Sequence, residues 1–166
     1  MLTTILKTVY IRDLTILRKE ISLYTNENSI WKTDKSISNS AGNLCLHLVG
    51  NLNTYIGAVL GNSGYIRNRD LEFSLKNVPR NELLSKIDKT IIVVENTLGQ
   101  LQDTQLSTEY PVLVWEEKTS VAYLLIHLAA HLGYHLGQVN YHRRLLDNCT
   151  SPESAALLHG DYRAKG

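Results

Sequence analysis

The sequence contains few cysteines and no long apolar run, and each shortage excludes a class of protein. Only two cysteines occur, Cys45 and Cys149, and their spacing matches no disulfide framework, which indicates a reducing compartment. No apolar stretch approaches the roughly 20 residues that span a membrane. The N-terminus also lacks the basic segment, apolar block and cleavage site of a signal peptide. We therefore expect a cytoplasmic protein with no membrane partner.

The chain also lacks an excess of charge of either sign. Its formal net charge is +1, and the pairs Arg67/Arg69 and Arg143/Arg144 are too sparse to form a basic stripe, so no nucleic-acid partner is expected. With 43% apolar and 20% charged residues, the composition is that of an ordinary globular protein. The length, and the absence of an internal repeat or linker, predict a single domain over residues 1–166.

Apolar residues recur at steps of three and four along four long segments, which is the pattern of amphipathic helices. These segments cover residues 2–24, 43–60, 79–101 and about 119–148. In the third, the β-branched residues 91–94 would also suit a strand, but the sustained period favours a helix. Four long helices joined by loops predict an all-α protein with the architecture of a four-helix bundle.

The connections between these segments are less regular. Residues 26–40 lose the period and should form a loop that places Trp31 against the bundle. Residues 62–78 are polar and should form a surface excursion. Residues 111–115 suggest a short extended or hairpin element before the last long helix. A serine followed by a proline at 151–152 predicts a short C-terminal helix.

Three of the six histidines lie at intervals of four in the last long helix, at His127, His131 and His135. Residues four apart share one helix face about 6 Å apart along the axis, so neighbouring pairs can bind one divalent metal ion. The outer two are about 12 Å apart, and a zinc–nitrogen bond spans only about 2.1 Å, so one ion cannot take all three. His131 and His135 lie closer to the centre of the apolar face, and we predict that pair as ligands.

A third ligand must come from another helix, and His47 is the only histidine of the second helix. Asn43 and Asn51 border it at helical spacing, and small or polar neighbours leave room beside the imidazole. Three neutral imidazoles with open positions are typical of a catalytic or substrate-binding metal site rather than a closed structural one. Zinc, nickel, iron and copper all suit such ligands.

Further side chains are candidates for contacts with the ligands or with a substrate. Gln138 follows His135 by three residues, so it can reach the same side of the helix and form a hydrogen bond there. Asn43, Asn51 and Tyr55 are weaker candidates for the same role on the second helix.

The histidines also allow interpretations without a metal. A histidine such as His47 is more often a hydrogen-bonded residue at the edge of a core, and four-residue spacings arise by chance in a histidine-rich helix. His142 and His159 are expected at the surface or at helix ends.

Two stretches resemble the DinB-like superfamily of metal-binding four-helix bundles. They are residues 42–52, GNLCLHLVGNL, and residues 131–144, HLGYHLGQVNYHRR; residues 67–73, RNRDLEF, are similar to a segment of one bacterial subgroup. The resemblance covers nearly the whole chain. It implies one divalent metal ion, most often nickel or zinc, held by three histidines that map onto His47, His131 and His135. His127 is an additional histidine one turn before the motif.

Characterised DinB-like proteins include bacillithiol- and mycothiol-dependent transferases and an isomerase, and many others have no established activity. The resemblance therefore implies a metal-dependent transferase whose partner is a low-molecular-weight thiol. Two other interpretations stay open: a non-catalytic metal- or ligand-binding stress protein, and a structural dimerising bundle with incidental histidines. The nine tyrosines are typical of half-buried bundle edges and would suit a homodimer face.

Overall fold

The computed structural model describes residues 1–147, which form an all-α protein. Its α-helices are α1 (Leu2–Ser22), α2 (Ala41–Leu52), α3 (Arg69–Ser74), α4 (Arg80–Gln100) and α5 (Val121–Leu146). A π-helical segment, Asn53–Ala58, continues α2, and short 3-10 segments occur at Glu27–Trp31 and Asp103–Ser107. None of the described helices is both long and apolar enough to cross a membrane. The helix predicted after residue 151 lies outside the described residues.

The four long helices pack as a bundle in which each contacts two neighbours. α1 lies against α4 and α5, and α2 lies against the same two helices from the opposite side. Each helix has one apolar stripe, and burying four such stripes against one another removes them from water. Leu17, Leu48, Ile87 and Leu132 contribute to this core from the four helices in turn. The all-α bundle predicted from the apolar period is confirmed.

α2 differs from the other long helices because all 12 of its residues are buried. It begins where Ser40 accepts a hydrogen bond from the backbone N–H of Asn43, at 3.2 Å. On the side away from the core, α3 and the Glu27–Trp31 segment cover it. Trp31 packs so closely on Gly42 that a Cβ there would overlap the indole ring. Because α2 is enclosed, a polar side chain on it that finds no partner inside the protein destabilises the fold.

The expected surface excursion at residues 62–78 contains more structure than its polarity indicates. Its second half forms α3, which begins where Asn68 accepts a hydrogen bond from the N–H of Leu71 at 3.3 Å. Glu72 is the buried residue of α3. A helix of six residues is too short to show an apolar period, which is why the sequence pattern does not reveal it.

Residues 111–115, expected as an extended or hairpin element, form no strand in the described chain. A single antiparallel bridge between Glu109 and Ser120 closes the loop instead, and the N–H of Tyr110 donates to the carbonyl of Thr119 at 2.8 Å. A single isolated bridge is not a β-ladder, so it does not define a strand. The loop therefore stays exposed along most of its length and ends at the start of α5.

His142 is a buried residue rather than the surface or helix-end residue expected from the sequence, with 4% of its surface exposed. Its Nε2–H donates to the carbonyl of Lys32 at 2.8 Å, and its Nδ1 accepts from the hydroxyl of Tyr24 at 2.7 Å. Burial lowers the pKa of His142, although the bond to Lys32 acts in the opposite direction. This histidine therefore links α5 to the chain that follows α1.

Candidate metal centre

Three histidines meet between α2 and α5. His47 Nε2 lies 3.2 Å from His131 Nε2, and His135 Nε2 lies 3.1 Å from the same atom. Donor atoms of the three side chains all lie within 4.8 Å of one another, so the group could hold one metal ion. The structure thus brings the predicted pair on α5 together with the predicted third histidine on α2.

Hydrogen bonds orient two of these imidazoles. His47 Nδ1 lies 3.0 Å from Glu72 Oε2, and His135 Nδ1 lies 2.6 Å from Gln138 Oε1. Arg67 Nη2 also lies 3.3 Å from His47 Nδ1, but the shorter contacts of both Nδ1 atoms are to oxygens that accept hydrogen bonds. This favours a proton on each Nδ1 and directs each Nε2 lone pair to the cluster. Histidines that bind metals are commonly held in this way. The predicted contact between Gln138 and His135 is present.

The third imidazole lacks such a bond but presents the same ring nitrogen to the cluster. His131 Nδ1 is buried and has no hydrogen-bond partner among the described residues, while its Nε2 lies within reach of the other two Nε2 atoms. A proton on His131 Nε2 could form a hydrogen bond with the Nε2 lone pair of only one of the other two histidines. A cation would attract the Nε2 lone pairs of all three. Nitrogens bonded to one metal at about 2.1 Å and at angles between a right angle and a tetrahedral one are roughly 3.0–3.4 Å apart. The residues therefore fit a three-histidine metal site.

The surroundings keep the α5 imidazoles neutral. Burial, reinforced by the neighbouring histidines and Arg67, lowers the pKa of His131 to about 4. Burial also lowers the pKa of His135, although the hydrogen bond to Gln138 acts in the opposite direction. A metal ion binds the neutral imidazole. These two side chains are therefore in the metal-binding form at neutral pH.

Glu72 and Arg67 are the residues of the site that the sequence reasoning missed. Glu72 is 5% exposed and accepts two hydrogen bonds from Arg67, at 2.6 Å from Nε and 2.8 Å from Nη2. Burial alone would raise the pKa of Glu72, but the hydrogen bonds from Arg67 and His47 outweigh burial and lower the pKa. The ionised carboxylate accepts the hydrogen bond that orients the His47 ring. The sequence could have indicated that such a residue was needed, because a histidine that binds a metal through one ring nitrogen commonly donates a hydrogen bond from the other.

Asn43 supports the site without touching the imidazoles. Its Nδ2 donates to the carbonyls of Glu72 and Leu75, at 3.0 and 2.9 Å, and these bonds attach α3 to α2. Its Oδ1 accepts from Lys76 Nζ at 2.7 Å. Because both ends of the amide are used in this way, Asn43 positions the segment that carries Glu72.

A cavity of about 380 Å³ adjoins the cluster on the side of His47 and His131. Asn51 and Tyr55, one and two turns beyond His47 on the same helix, line this cavity. His127 lines it as well, with its ring edge-on to Trp115 at a centroid distance of 4.8 Å. The additional histidine therefore lies beside the three-histidine cluster and is not a member of it.

Gly50 allows Glu72 to reach His47. A Cβ added at Gly50 would overlap the Glu72 carboxylate, so the absence of a side chain at this position lets α3 approach α2 closely.

We expect Gly50→Ala to weaken metal binding about 10- to 100-fold, the usual effect of losing a group that orients a histidine ligand. The affinity can be measured by competition with a chromogenic chelator. Gly133→Ala in α5 is the matched control, because a Cβ there meets nothing within 4 Å, and it should bind metal like the wild type. Unchanged affinity in Gly50→Ala would show that Glu72 does not assist His47.

The fold and the cluster together define an all-α bundle with a candidate three-histidine metal centre. A family model described as "Protein of unknown function (DUF1572)" matches residues 4–151, and the chain belongs to this family. No curated protein matches the chain. The matched range contains every residue of the cluster. Because the description of the family gives no function, the chemistry of the site is the basis for one.

Proposed function

We propose that this protein is a DinB-like metalloprotein that binds one divalent metal ion through His47, His131 and His135 and acts as a metal-dependent thiol S-transferase. The observation that supports this most strongly is the convergence of three imidazole Nε2 atoms, two of them oriented by Glu72 and Gln138. Three neutral imidazoles with open positions suit zinc or nickel. The likeness of residues 42–52 and 131–144 to DinB-like proteins supports the same assignment.

When bound, a divalent metal supplies positive charge that lowers the pKa of a thiol and stabilises its thiolate near neutral pH. The residues of the chain have two tasks beside it. Glu72 and Gln138 hold their imidazoles with the lone pairs directed inward. The cavity admits a small substrate next to His47 and His131, and none of its lining residues carries a carboxylate that would repel a thiolate.

Cys45 does not supply the reactive thiol. It is wholly buried, and burial raises its pKa to about 12, so the reactive thiolate form is scarce at neutral pH. It also belongs to the hydrophobic core rather than to the cavity lining. Cys45 is therefore not the thiol that reacts at the site, and the proposal assigns that role to a small molecule.

The test is a conjugation screen with protein reconstituted with zinc or nickel. A panel of low-molecular-weight thiols is combined with a panel of electrophiles, and the loss of free thiol is followed over time. We expect conjugation that stops when the metal is chelated, returns when the metal is restored, and is absent in His135→Ala.

Two other results would each replace this proposal. Tight metal binding without turnover or thiol binding in any combination would indicate a non-catalytic metal-binding protein. Failure of the wild type to bind a divalent metal would leave a structural bundle with incidental histidines.

A further inference from the structure

Asn51 is a buried polar side chain whose carbonyl has no partner. It is 8% exposed, and its Oδ1 makes no hydrogen bond with the described residues. It lies one helical turn beyond His47 and lines the same cavity. Leaving a buried amide unpaired destabilises a fold, and a leucine of similar size would avoid that cost. A ligand in the cavity that donates a hydrogen bond to Asn51 Oδ1 would remove this cost.

The same cavity has an excess of positive charge. Its lining includes Arg67 and Arg69 and no acidic residue. Arg67 is neutralised by Glu72. Arg69 forms no ion pair with the described residues, and its guanidinium lies 5.8 Å from the centre of the Phe73 ring. A guanidinium presents a planar pair of donors that matches a carboxylate, so the charge of the cavity favours an organic anion.

The remaining lining gives the approximate size and character of that anion. Val114, Leu124 and Leu128 supply apolar surface, and Trp115 supplies an aromatic ring that is 39% exposed. A volume of about 380 Å³ is at the small end of the range for sites that bind organic molecules. The cavity thus combines apolar walls, one amide and one unpaired guanidinium, a set that fits a small organic acid better than an inorganic ion.

We infer that the cavity selects small thiols that carry a carboxylate and an amide N–H, as N-acylated cysteine derivatives do. Arg69 pairs with the carboxylate, and Asn51 Oδ1 accepts the N–H, with a small rotation of the side chain to meet it. The sulfur then lies on the side of the cavity formed by His47 and His131. This inference rests on the proposed function, because it takes a thiol as the group that approaches the histidines.

The experiment compares N-acetylcysteine with N-acetylcysteine amide, which differ in the negative charge, on zinc-loaded protein. Binding is measured by calorimetry and by the fluorescence of Trp115. The chain has two tryptophans, and Trp115→Phe identifies which one reports. We expect N-acetylcysteine to bind about 10-fold more tightly or better, since a hydrogen bond to a charged group contributes at least that factor. Arg69→Gln should remove the preference, and Arg69→Lys should keep part of it.

Asn51→Leu separates a binding role from a structural one. We expect it to weaken both probes about 10-fold, because both carry the amide N–H. Its thermal midpoint in the absence of ligand should equal or exceed that of the wild type. A lowered midpoint with unchanged binding would assign Asn51 to the fold alone and would remove it from the ligand site.

Failure of this inference can be distinguished from failure of the proposed function. Equal affinity for the two thiol probes on protein that binds zinc would overturn the inference and leave the metal site intact. If zinc does not bind, the proposed function fails. N-acetylalanine and its amide, which lack sulfur, then test the carboxylate site on metal-free protein. A preference for the acid that Arg69→Gln removes would uphold that site, and equal or undetectable binding of the two would overturn it.

Discussion

Replacement of His47, His131 or His135 with alanine is expected to abolish stoichiometric metal binding, with affinity falling by more than about 100-fold. Losing a group that only orients a ligand already costs about 10- to 100-fold, and each of these variants removes a donor atom from the cluster itself. The metal content after gel filtration, together with chelator competition, measures the effect. Far-ultraviolet circular dichroism should show that the helices are retained.

His127→Ala is the matched control for these variants. His127 lies on the same helix one turn before His131, and the two rings stack at a centroid distance of 6.4 Å. It lies outside the group of converging donor atoms, so the variant should retain the full metal content. If His127→Ala loses the metal while His135→Ala keeps it, the pair of ligands on α5 has been assigned wrongly.

The bundle could be predicted from the sequence because it depends on a long-range regularity. Each of the four long helices repeats its apolar residues over at least three turns, and such a stripe must be buried against another element. The continuation of α2 as the π-helical segment Asn53–Ala58 leaves that stripe in place, so the predicted end of the helix near residue 60 was close. The exposed loop at residues 111–115 has no comparable regularity, and the short extended or hairpin element expected there forms no strand.

Within α5, the residues of the candidate site could be predicted because the geometry of one helix is decisive. The length of a metal–nitrogen bond shows that His127 and His135 cannot share one ion. The two ligands on α5 must therefore be histidines one helical turn apart. The choice of His131 and His135 over His127 and His131 followed from the direction of the apolar face. Glu72 could not be found in this way, because its contact with His47 depends on how α3 packs across α2 near Gly50.

A second large effect is expected at a buried ion pair away from the histidines. Glu20 on α1 and Arg143 on α5 are both wholly buried, with Nε and Oε2 2.7 Å apart. Asn140 Nδ2 donates to the other Glu20 oxygen at 2.9 Å. Glu20→Leu removes the carboxylate that Arg143 Nε contacts, and we expect a loss of about 3–5 kcal/mol in the free energy of unfolding. Urea denaturation of the metal-free protein measures it.

The cost of Glu20→Leu should come from keeping the Arg143 charge buried after its Glu20 partner is removed, and not from loss of the pair as such. A buried pair gains attraction but loses the hydration of two ions, so apolar residues of similar volume often replace it with no loss or with a gain of about 1–4 kcal/mol. Because Asn140 would lose its acceptor, the matched variant combines Glu20→Leu, Asn140→Leu and Arg143→Met. It should be more stable than Glu20→Leu and retain metal binding, since the three residues lie outside the histidine cluster. A combined variant as unstable as Glu20→Leu would instead mean that the pair itself stabilises the packing of α1 against α5.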